Sequence, residues 1–415
     1  MQKISEDILK DIINDLKIIN SELLLEAFTD PISRKALKKV MKNDLPKRHQ
    51  VILRSEEYID YALSEIVGLG VIEDIIKKET LVTDISFNGT ELLVNTNNEK
   101  YRYGEEISEN YIEKLIQKFA NAVGKEFTPK NPILDASLNN LRLNAVHKSL
   151  SPYGTTMALR VTKPVQMLNE GNFTGFAPRY MMNFFEAAIK SHCNIIISGE
   201  TGTGKTELQK LVIKDVSFND KIINIEDTPD NYIKLLYPDK DIHSWVTTPS
   251  IRITDLIKAG LRNNPVWMMV SETRGEEAYE MLQAVLSGHK IVTTVHSVDA
   301  RAIPKRFVNM MKIGYSIDEN SVLEDIYNYF QLGVHIEKTT IDGMVVRYLS
   351  EVVEFRPNKT ATTVFKQIKE GNRISPVPGT MSEEFIQNLK KYGCEIPVLQ
   401  EKEEIKNGQE ENIYA

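Results

Sequence analysis

A glycine-rich segment at residues 199–206 has the residue types and the spacing of a phosphate-binding loop. It reads GETGTGKT and matches the pattern Gly-x-x-x-x-Gly-Lys-Ser/Thr in full. Glycines let successive backbone N–H groups turn inward around a phosphate, because no Cβ stands in the way. The lysine of such a loop reaches the β- and γ-phosphates of ATP, and the hydroxyl after it ligates Mg²⁺. The predicted nucleotide-binding residues are Gly199, Glu200, Thr201, Gly202, Thr203, Gly204, Lys205, Thr206 and Glu207.

Acidic residues end two apolar, strand-like segments downstream of this loop. Glu226 and Asp227 close IINIED, and Glu272 follows VWMMVS. An open α/β sheet places its ligand at the C-terminal edge of its strands, and a carboxylate there can orient or deprotonate an attacking water. Glu272 and Glu226 are therefore catalytic candidates, and Asp227 is a candidate for the Mg²⁺ site beside Thr206. Simpler alternatives stay open: Asp227 also suits a helix N-cap, and Glu272 alone suits a surface carboxylate.

Two histidines flank the next apolar segment, KIVTTV. His289 precedes this segment and His296 follows it. A lone histidine is usually structural, whereas a pair around a buried strand near a phosphate loop suits γ-phosphate sensing or a relay to a neighbouring subunit. The spacing alone leaves both interpretations open.

The surrounding segments predict an α/β protein with several regions. Strand-like runs alternate with helical ones after the loop, which indicates a mostly parallel sheet wrapped by helices. Asn88-Gly89 and Asp342-Gly343 predict hairpin turns, and a stretch rich in proline and glycine predicts a linker. The predicted regions are an N-terminal helical region (1–78), a small α/β domain (79–162), a linker or hinge (163–179), a phosphate-loop domain (180–400) and a disordered acidic tail (401–415).

The composition is that of a soluble globular protein. Of the 415 residues 41% are hydrophobic and 26% are charged, and the net charge of -7 argues against a dominant nucleic-acid surface. The apolar runs are far shorter than the ~20 residues of a membrane-spanning helix, and the N-terminus does not resemble a secretory signal, so a cytoplasmic location is expected. A basic run at residues 34–48 suits a solvated helix face or, alternatively, a docking face for an acidic partner or a membrane surface.

Four segments, taken in order, resemble the motif boxes of the secretion traffic ATPase superfamily. GETGTGKT is similar to its Walker A box, INIEDTPD to its Asp box, LRNNPVWMMVSETRG to its Walker B box and SGHKIVTTVHS to its His box. The resemblance covers residues 55 to about 355. Upstream segments such as SEIVGLGVIEDIIKKETLVTDISFNG resemble the branch that serves tight-adherence pili and conjugation channels.

The resemblance implies a RecA-like fold for the phosphate-loop domain and a homo-hexameric ATPase motor for type IV secretion or pilus assembly. Nucleotide would lie between the N-terminal domain and the phosphate-loop domain, with residues 163–179 as the hinge. Family motifs place a catalytic glutamate at Glu272 and nucleotide-contacting arginines at matching positions. The implied catalytic set is Glu272, Glu226, Lys205, Arg142, Arg160, Arg274, His289 and His296.

The sequence departs from the family pattern at a few positions near these boxes. Ser271 stands in place of glycine before the catalytic glutamate, Val266 in place of aspartate, and Ser287 in place of threonine. The Cβ of Ser271 could crowd the phosphates, so a nucleotide-binding scaffold with little hydrolysis stays open, as does a nucleic-acid motor of related fold. The resemblance implies an inner-membrane platform protein as partner, peripheral association with the cytoplasmic face of the membrane, and no direct nucleic-acid binding.

Overall fold

The computed structural model describes residues 4–79, 81–97 and 99–400. The chain divides into two compact units, Met1–Lys163 (unit 1) and Pro164–Ala415 (unit 2). The boundary falls at the start of the predicted linker, so nearly all of that segment belongs to unit 2. The predicted tail, 401–415, lies outside the described residues.

Unit 1 begins with helices: α1 (Glu6–Glu26), α2 (Pro31–Asn43), α3 (Lys47–Ile52), α4 (Glu56–Val67) and α5 (Val71–Lys78). Helix α1 is kinked at Asn20, where φ is -161° and ψ is 89°. Asp30 caps α2 by accepting the N–H groups of Ile32 and Ser33, and Pro31 occupies the first turn, which suits a helix start. Nowhere in the described parts of the chain does a helix have both the length and the apolar character needed to cross a bilayer.

The remaining described residues of unit 1 form an antiparallel sheet and a helix. The elements are β1 (Val82–Phe87), β2 (Leu92–Thr96), β3 (Lys100–Arg102), α6 (Glu109–Ala122), β4 (Ile133–Leu138), β5 (Leu141–Val146) and β6 (Thr156–Val161). The strand order is β3-β2-β1-β6-β5-β4. The predicted hairpin at Asn88-Gly89 is confirmed, because Phe87 pairs with Leu92 and Gly89 has φ of 102°. Side chains of α6, including Phe119, pack into the core of this sheet.

Unit 2 contains further helices and strands around a single sheet. The helical elements are a 3₁₀ turn (Phe173–Gly175), α7 (Tyr180–Lys190), α8 (Lys205–Ile213), α9 (Ile233–Leu236), α10 (Ile253–Leu261), α11 (Glu277–Leu286), α12 (Ile303–Met311), α13 (Glu319–Tyr329) and α14 (Glu383–Lys391). The strands are β7 (Ile195–Gly199), β8 (Ile222–Glu226), β9 (Ile242–Val246), β10 (Trp267–Thr273), β11 (Lys290–Val295), β12 (Leu332–Ile341), β13 (Met344–Arg356), β14 (Thr360–Glu370) and β15 (Arg373–Pro378).

The sheet of unit 2 is mixed, with the strand order β15-β14-β13-β12-β7-β11-β10-β8-β9. Pairing is parallel from β12 through β9 and antiparallel from β12 through β15. The prediction of a mostly parallel sheet therefore needs correction. The confirmed hairpin at Asp342-Gly343, with φ of 50° and 81°, reverses the chain and begins an antiparallel extension that the prediction did not attach to the parallel strands.

The parallel strands are apolar throughout because both faces of the sheet are covered. Ile195 and Ile197 of β7 pack in one buried cluster with α7 and α8, whereas Ile196 packs in a second cluster with α10 to α13. Strand β10 alternates in the same way, with Trp267 in the first cluster and Met268 in the second. Continuous apolar runs are typical of strands buried on both sides. This packing fixes the strand ends that carry the polar residues.

Candidate functional site

The phosphate loop connects β7 to α8, and its three glycines all have positive φ. The values are 151° at Gly199, 77° at Gly202 and 98° at Gly204. A Cβ on Gly199 would lie 2.5 Å from the carbonyl oxygen of Ile336, so a larger residue would force the two segments apart. Glycine adopts such backbone conformations without steric cost. The loop therefore has the shape expected of a phosphate cradle leading into the N-terminus of a helix.

Lys205 is the first residue of α8, and its side chain folds back over the loop. Its Nζ donates hydrogen bonds to the carbonyl oxygens of Gly199 and Glu200, both at 2.9 Å, and lies 3.5 Å from Nδ1 of His296. Burial lowers the pKa of Lys205 to about 8, although the charge of Glu272 opposes this shift. A bound phosphate would favour the charged ammonium form of this lysine.

Glu272 lies between two basic side chains. Its Oε2 accepts a hydrogen bond from Nη2 of Arg274 at 2.8 Å, and its Oε1 lies 3.0 Å from Nε2 of His296. The second contact has ion-pair distance without hydrogen-bond geometry, so buried Oε1 has no hydrogen-bond donor within the described residues. Burial acts to raise the pKa of Glu272, but the hydrogen bond and charge of Arg274, together with His296 and Lys205, outweigh burial and lower it. The carboxylate is therefore ionised at neutral pH and has one oxygen suited to accept a hydrogen bond from water.

A β-bulge brings Glu272 to this position. The register between β10 and β11 shifts between Val270 and Thr273, so Ser271 and Glu272 together oppose Thr294. The Thr294 hydroxyl donates a hydrogen bond of 2.6 Å to the carbonyl oxygen of Ser271. Bulges re-aim side chains and are common next to active sites. Ser271 thus stands in a bulge whose backbone is anchored on the neighbouring strand, next to Glu272.

Glu226 ends β8 and is buried in its own loop. Its Oε1 accepts the N–H groups of Asp230 at 3.0 Å and Asn231 at 2.9 Å, and its Oε2 accepts from Asn224 at 2.9 Å. Burial raises the pKa of Glu226, and these hydrogen bonds oppose the shift only in part. In the described chain no hydrogen bond joins Glu226 to Glu272. The geometry gives Glu226 the role of shaping the loop after β8.

Asp227 and Thr206 are the predicted Mg²⁺ ligands. Asp227 Oδ2 lies 3.5 Å from Nη1 of Arg274, which also binds Glu272, and Thr206 is half-buried in the first turn of α8. The N-cap alternative for Asp227 is wrong, because the next helix, α9, has Tyr232 at its N-cap.

The donor set near the loop fits Mg²⁺ of the kind that accompanies a nucleotide. Among the described residues no group of three or more His, Cys, Asp or Glu side chains is arranged to hold a metal ion. Mg²⁺ at nucleotide sites uses few protein ligands and relies on phosphate oxygens and water. Thr206 offers a hydroxyl and Asp227 a carboxylate, which are oxygen donors of the kind that Mg²⁺ takes.

Glu207 follows Thr206, and its carboxylate is engaged with the predicted linker. Its Oε2 accepts the N–H groups of Met167 at 2.6 Å and Leu168 at 3.4 Å, while its Oε1 pairs with Lys210 at 2.8 Å. These contacts use both oxygens of Glu207. They tie this part of the 163–179 segment to the phosphate-loop helix.

The structure does not bring His289 to the site. His289 precedes β11 and its Nδ1 lies 2.8 Å from the carbonyl oxygen of Pro265, whereas His296 follows the same strand. At ~3.3 Å per residue the two histidines are roughly 20 Å apart. Ser287, one of the departures from the family pattern, donates a hydrogen bond of 2.8 Å to the carbonyl of Gln283 at the end of α11. His289 and Ser287 therefore belong to the opposite edge of the sheet from His296.

Arg142 and Arg160 lie in unit 1. They face each other across the β5–β6 ladder. Arg160 Nε lies 3.1 Å from Asp84 Oδ1, and Arg142 Nε lies 3.8 Å from Asp135 Oδ1. The two arginines are therefore neighbours on one face of the sheet of unit 1.

Sequence reasoning missed three polar residues that contact the site. Buried Gln209 donates to the carbonyl oxygens of Val270 and Val292 at 3.1 and 3.2 Å, which joins α8 to β10 and β11. Lys338 and Arg347 donate to carbonyls of the phosphate loop. A two-residue turn at Asp342-Gly343 already implies that 338 and 347 are opposite each other, but nothing local indicates what they contact.

Comparison with known proteins is consistent with the motif boxes. A family model described as "Type II/IV secretion system protein" matches residues 85–327, which is more than half of the chain. The chain belongs to this family. The resemblance to the type II/IV secretion traffic ATPase superfamily is confirmed at that level.

Individual proteins resemble different portions of the chain. An uncharacterized protein of Bacillus anthracis is 45% identical across 96% of this chain and 94% of its own length. The type IV secretion system protein VirB11 of Brucella suis is 29% identical across 41% of this chain, and the match spans only half of that protein. The ATPase DotB of Yersinia pseudotuberculosis has a similar fold, with a TM-score of 0.52, 16% identity and coverage of 70% of this chain and 79% of that chain.

For this member of the secretion family, we expect the affinity for ATP to fall as the pH rises above about 8. Burial lowers the pKa of Lys205 to about 8, and the negative charge of a bound phosphate would raise it. The affinity for ATP is therefore highest at a pH below the pKa that Lys205 has without phosphate. It falls by up to about tenfold per pH unit until the pH reaches the higher pKa that Lys205 has with phosphate bound. Equilibrium titration with a fluorescent ATP analogue between pH 7 and 9 measures this effect. Lys205→Gln has no ammonium group to titrate, so it should bind the ATP analogue weakly and with the same affinity from pH 7 to 9. An affinity of the parental protein that does not change with pH would contradict the role of Lys205 in phosphate binding.

Proposed function

We propose that the protein is an ATP-hydrolysing motor of a type IV secretion or type IV pilus machine. The observation that carries this proposal is the continuous contact from Lys205 through His296 to Glu272 and Arg274 at the mouth of a phosphate loop. Family membership supplies the class of machine. The relatives named for type IV secretion match less than half of this chain, so the choice of machine is part of the proposal.

The residues of this site would each contribute one part of the transfer of the γ-phosphate to water. Loop N–H groups and Lys205 bind the phosphates and neutralise charge that develops in the transition state. Glu272 orients the attacking water with its Oε1. Arg274 and His296 keep that carboxylate ionised, since their charges lower its pKa. Mg²⁺, when bound, adds positive charge at the β- and γ-phosphates, where Thr206 and Asp227 would hold it.

Steady-state phosphate release by the purified full-length protein tests the proposal, with and without lipid vesicles. Turnover that requires Mg²⁺ is expected. A rival function, a nucleotide-binding scaffold with little hydrolysis, is favoured by one specific observation, Ser271 at the bulge beside Glu272. Tight nucleotide binding without phosphate release under either condition would favour that scaffold and would reject the motor.

We further propose that six copies form a ring of RecA-like domains and that Arg142 and Arg160 contact the nucleotide in this assembly. His289, at the opposite edge of the sheet, would face a neighbouring copy. Mass measurement in the presence of a non-hydrolysable ATP analogue tests the assembly. A protein that stays monomeric under these conditions at micromolar concentration would contradict the ring.

The proposed location is the cytoplasmic face of the membrane, next to an inner-membrane platform protein. The basic run at 34–48 gives this proposal little support, because four of its seven cations pair with acidic residues of unit 1. These pairs are Arg34–Glu73, Lys38–Asp60, Lys42–Glu56 and Arg48–Asp15.

The pairing of these cations with acidic residues also weakens the alternative function of a nucleic-acid motor. Co-sedimentation with anionic vesicles tests membrane association, and phosphate release with single-stranded DNA tests the nucleic-acid alternative; stimulation by DNA would revive it.

The hinge between the units is proposed to be shorter than the predicted 163–179 segment, because Glu207 holds part of it against α8. Glu207→Ala removes the acceptor of the Met167 and Leu168 N–H groups. We expect hydrogen exchange at these two amides to accelerate by roughly ten- to a hundredfold, since hydrogen bonds to a charged group contribute ~1.5–3 kcal/mol. Hydrogen exchange with mass spectrometry measures the effect. Glu383→Ala, at an exposed glutamate of α14, provides the matched control, and unchanged exchange in Glu207→Ala would show that Glu207 does not hold this part of the segment.

A further inference from the structure

The hairpin of β12 and β13 extends beyond the sheet and lies beside the phosphate loop. Strand β12 pairs in parallel with β7 up to the pair Ile336 and Gly199, which is where the loop begins. Strand β12 then continues to Ile341 and returns as β13 through the turn at Asp342-Gly343. Contact is close at the junction, because a Cβ on Gly199 would meet the Ile336 carbonyl oxygen. The hairpin arm is therefore fixed relative to the loop by main-chain pairing.

Two cations of this arm bind main-chain oxygens of the loop. Lys338 and Arg347 are direct partners in the antiparallel ladder. Lys338 Nζ donates to the carbonyl of Thr201 at 2.7 Å, and Arg347 Nε donates to the carbonyl of Gly202 at 2.8 Å. Like charges directly opposite each other destabilise a sheet. The loop carbonyls offset this cost by giving both cations an acceptor.

These hydrogen bonds determine which way two peptide groups of the loop face. A peptide group is planar and trans, so the N–H of one residue points opposite to the carbonyl of the residue before it. When Lys338 holds the carbonyl of Thr201, the N–H of Gly202 points away from the hairpin. Arg347 fixes the direction of the Thr203 N–H in the same way through the carbonyl of Gly202. This N–H donates a long hydrogen bond of 3.4 Å to the carbonyl oxygen of Glu200, an acceptor that a bound phosphate would replace. Both N–H groups belong to the segment that cradles a phosphate in loops of this pattern.

We propose that Lys338 and Arg347 are positioning residues for the nucleotide, which orient the peptide groups at 201–203 for phosphate binding. The inference rests on the nucleotide site of the proposed function and extends it. It makes nucleotide affinity depend on the β12–β13 hairpin, so that anything displacing the hairpin tip would release the nucleotide.

Binding of ADP, measured by titration calorimetry at low salt and at about 0.5 M salt, tests this role. We expect Lys338→Ala/Arg347→Ala to bind ADP about tenfold more weakly at both salt concentrations, from the loss of charge-assisted hydrogen bonds. Lys338→Arg/Arg347→Lys keeps both donors and should restore most of the affinity. Lys369→Ala removes an exposed cation of β14 and should bind like the parental protein. Lys338 is also exposed, so Lys338→Ala alone keeps the test valid if the double variant does not fold.

Two outcomes would overturn the inference. Parental affinity in the alanine variants would show that the loop holds its conformation without the hairpin. A loss that disappears at the higher salt would show that the cations act on the phosphates through space and do not position the loop. Because the assay measures ADP binding, it is separate from hydrolysis: a parental protein that binds ADP but releases no phosphate would reject the motor and leave this inference standing.

Discussion

Lys205→Ala is expected to lower ATP turnover by at least about a hundredfold, the usual loss when a donor to the developing transition-state charge is removed. The ammonium group of Lys205 donates hydrogen bonds to the carbonyl oxygens of Gly199 and Glu200, within the phosphate loop. A bound phosphate would replace these carbonyls as the partner of the ammonium group, whose Nζ lies 3.5 Å from Nδ1 of His296. Phosphate release under saturating ATP measures the loss, and equilibrium binding shows how much of it arises from weaker binding.

A matched variant separates this effect from a general loss of charge. Lys234 is an exposed lysine of α9 in the same unit, so Lys234→Ala should retain parental turnover. Lys205→Ala is also expected to remain folded, because burial already disfavours the charged form of this lysine. Turnover at the parental rate in a folded Lys205→Ala protein would remove the phosphate loop from the mechanism.

Glu272→Gln is expected to keep ATP bound while slowing hydrolysis by about 10²- to 10⁴-fold, the range for loss of a positioned general base. Glutamine preserves the size of the side chain and can still accept a hydrogen bond, but it cannot take a proton from water. It also loses the charge that binds Arg274 at 2.8 Å. Single-turnover hydrolysis, followed by analysis of the nucleotide that remains bound, should recover ATP and not ADP.

Glu276→Gln provides the control for Glu272→Gln. Glu276 lies four residues further along and pairs with Arg252 away from the loop, so its neutralisation should leave single-turnover hydrolysis unchanged. If Glu272→Gln and Glu276→Gln hydrolyse bound ATP at the same parental rate, Glu272 has no role in the chemical step.

The phosphate loop and the acidic ends of the strands could be predicted because they depend on local sequence. The positive φ values at Gly199, Gly202 and Gly204 follow from the glycine pattern itself. Apolar runs ending in Asp227 and Glu272 indicated two strands whose ends share an edge of the sheet, and Arg274 joins these two carboxylates in the structure.

For the histidines and Glu226, position at the end of a strand did not indicate which side chains reach the site. Both histidines flank one strand, and a strand has its two ends at opposite edges of the sheet, so only His296 reaches Glu272. Position at the end of a strand also made Glu226 a catalytic candidate, yet the loop after β8 folds over it and uses both of its oxygens. Whether a strand-end carboxylate faces a ligand or a loop depends on how that loop closes, which spacing does not indicate.

The sequence by itself determined the loop, the family and the residue types at the edge of the sheet, because these depend on contacts between near neighbours in the chain. It also determined that Lys338 and Arg347 are partners across a two-residue turn. Only the tertiary structure decided that this hairpin lies beside the phosphate loop, since the contact arises from pairing of β12 with β7. That pairing joins segments separated by more than a hundred residues, and its partner is selected by burial of the whole sheet and not by any local pattern.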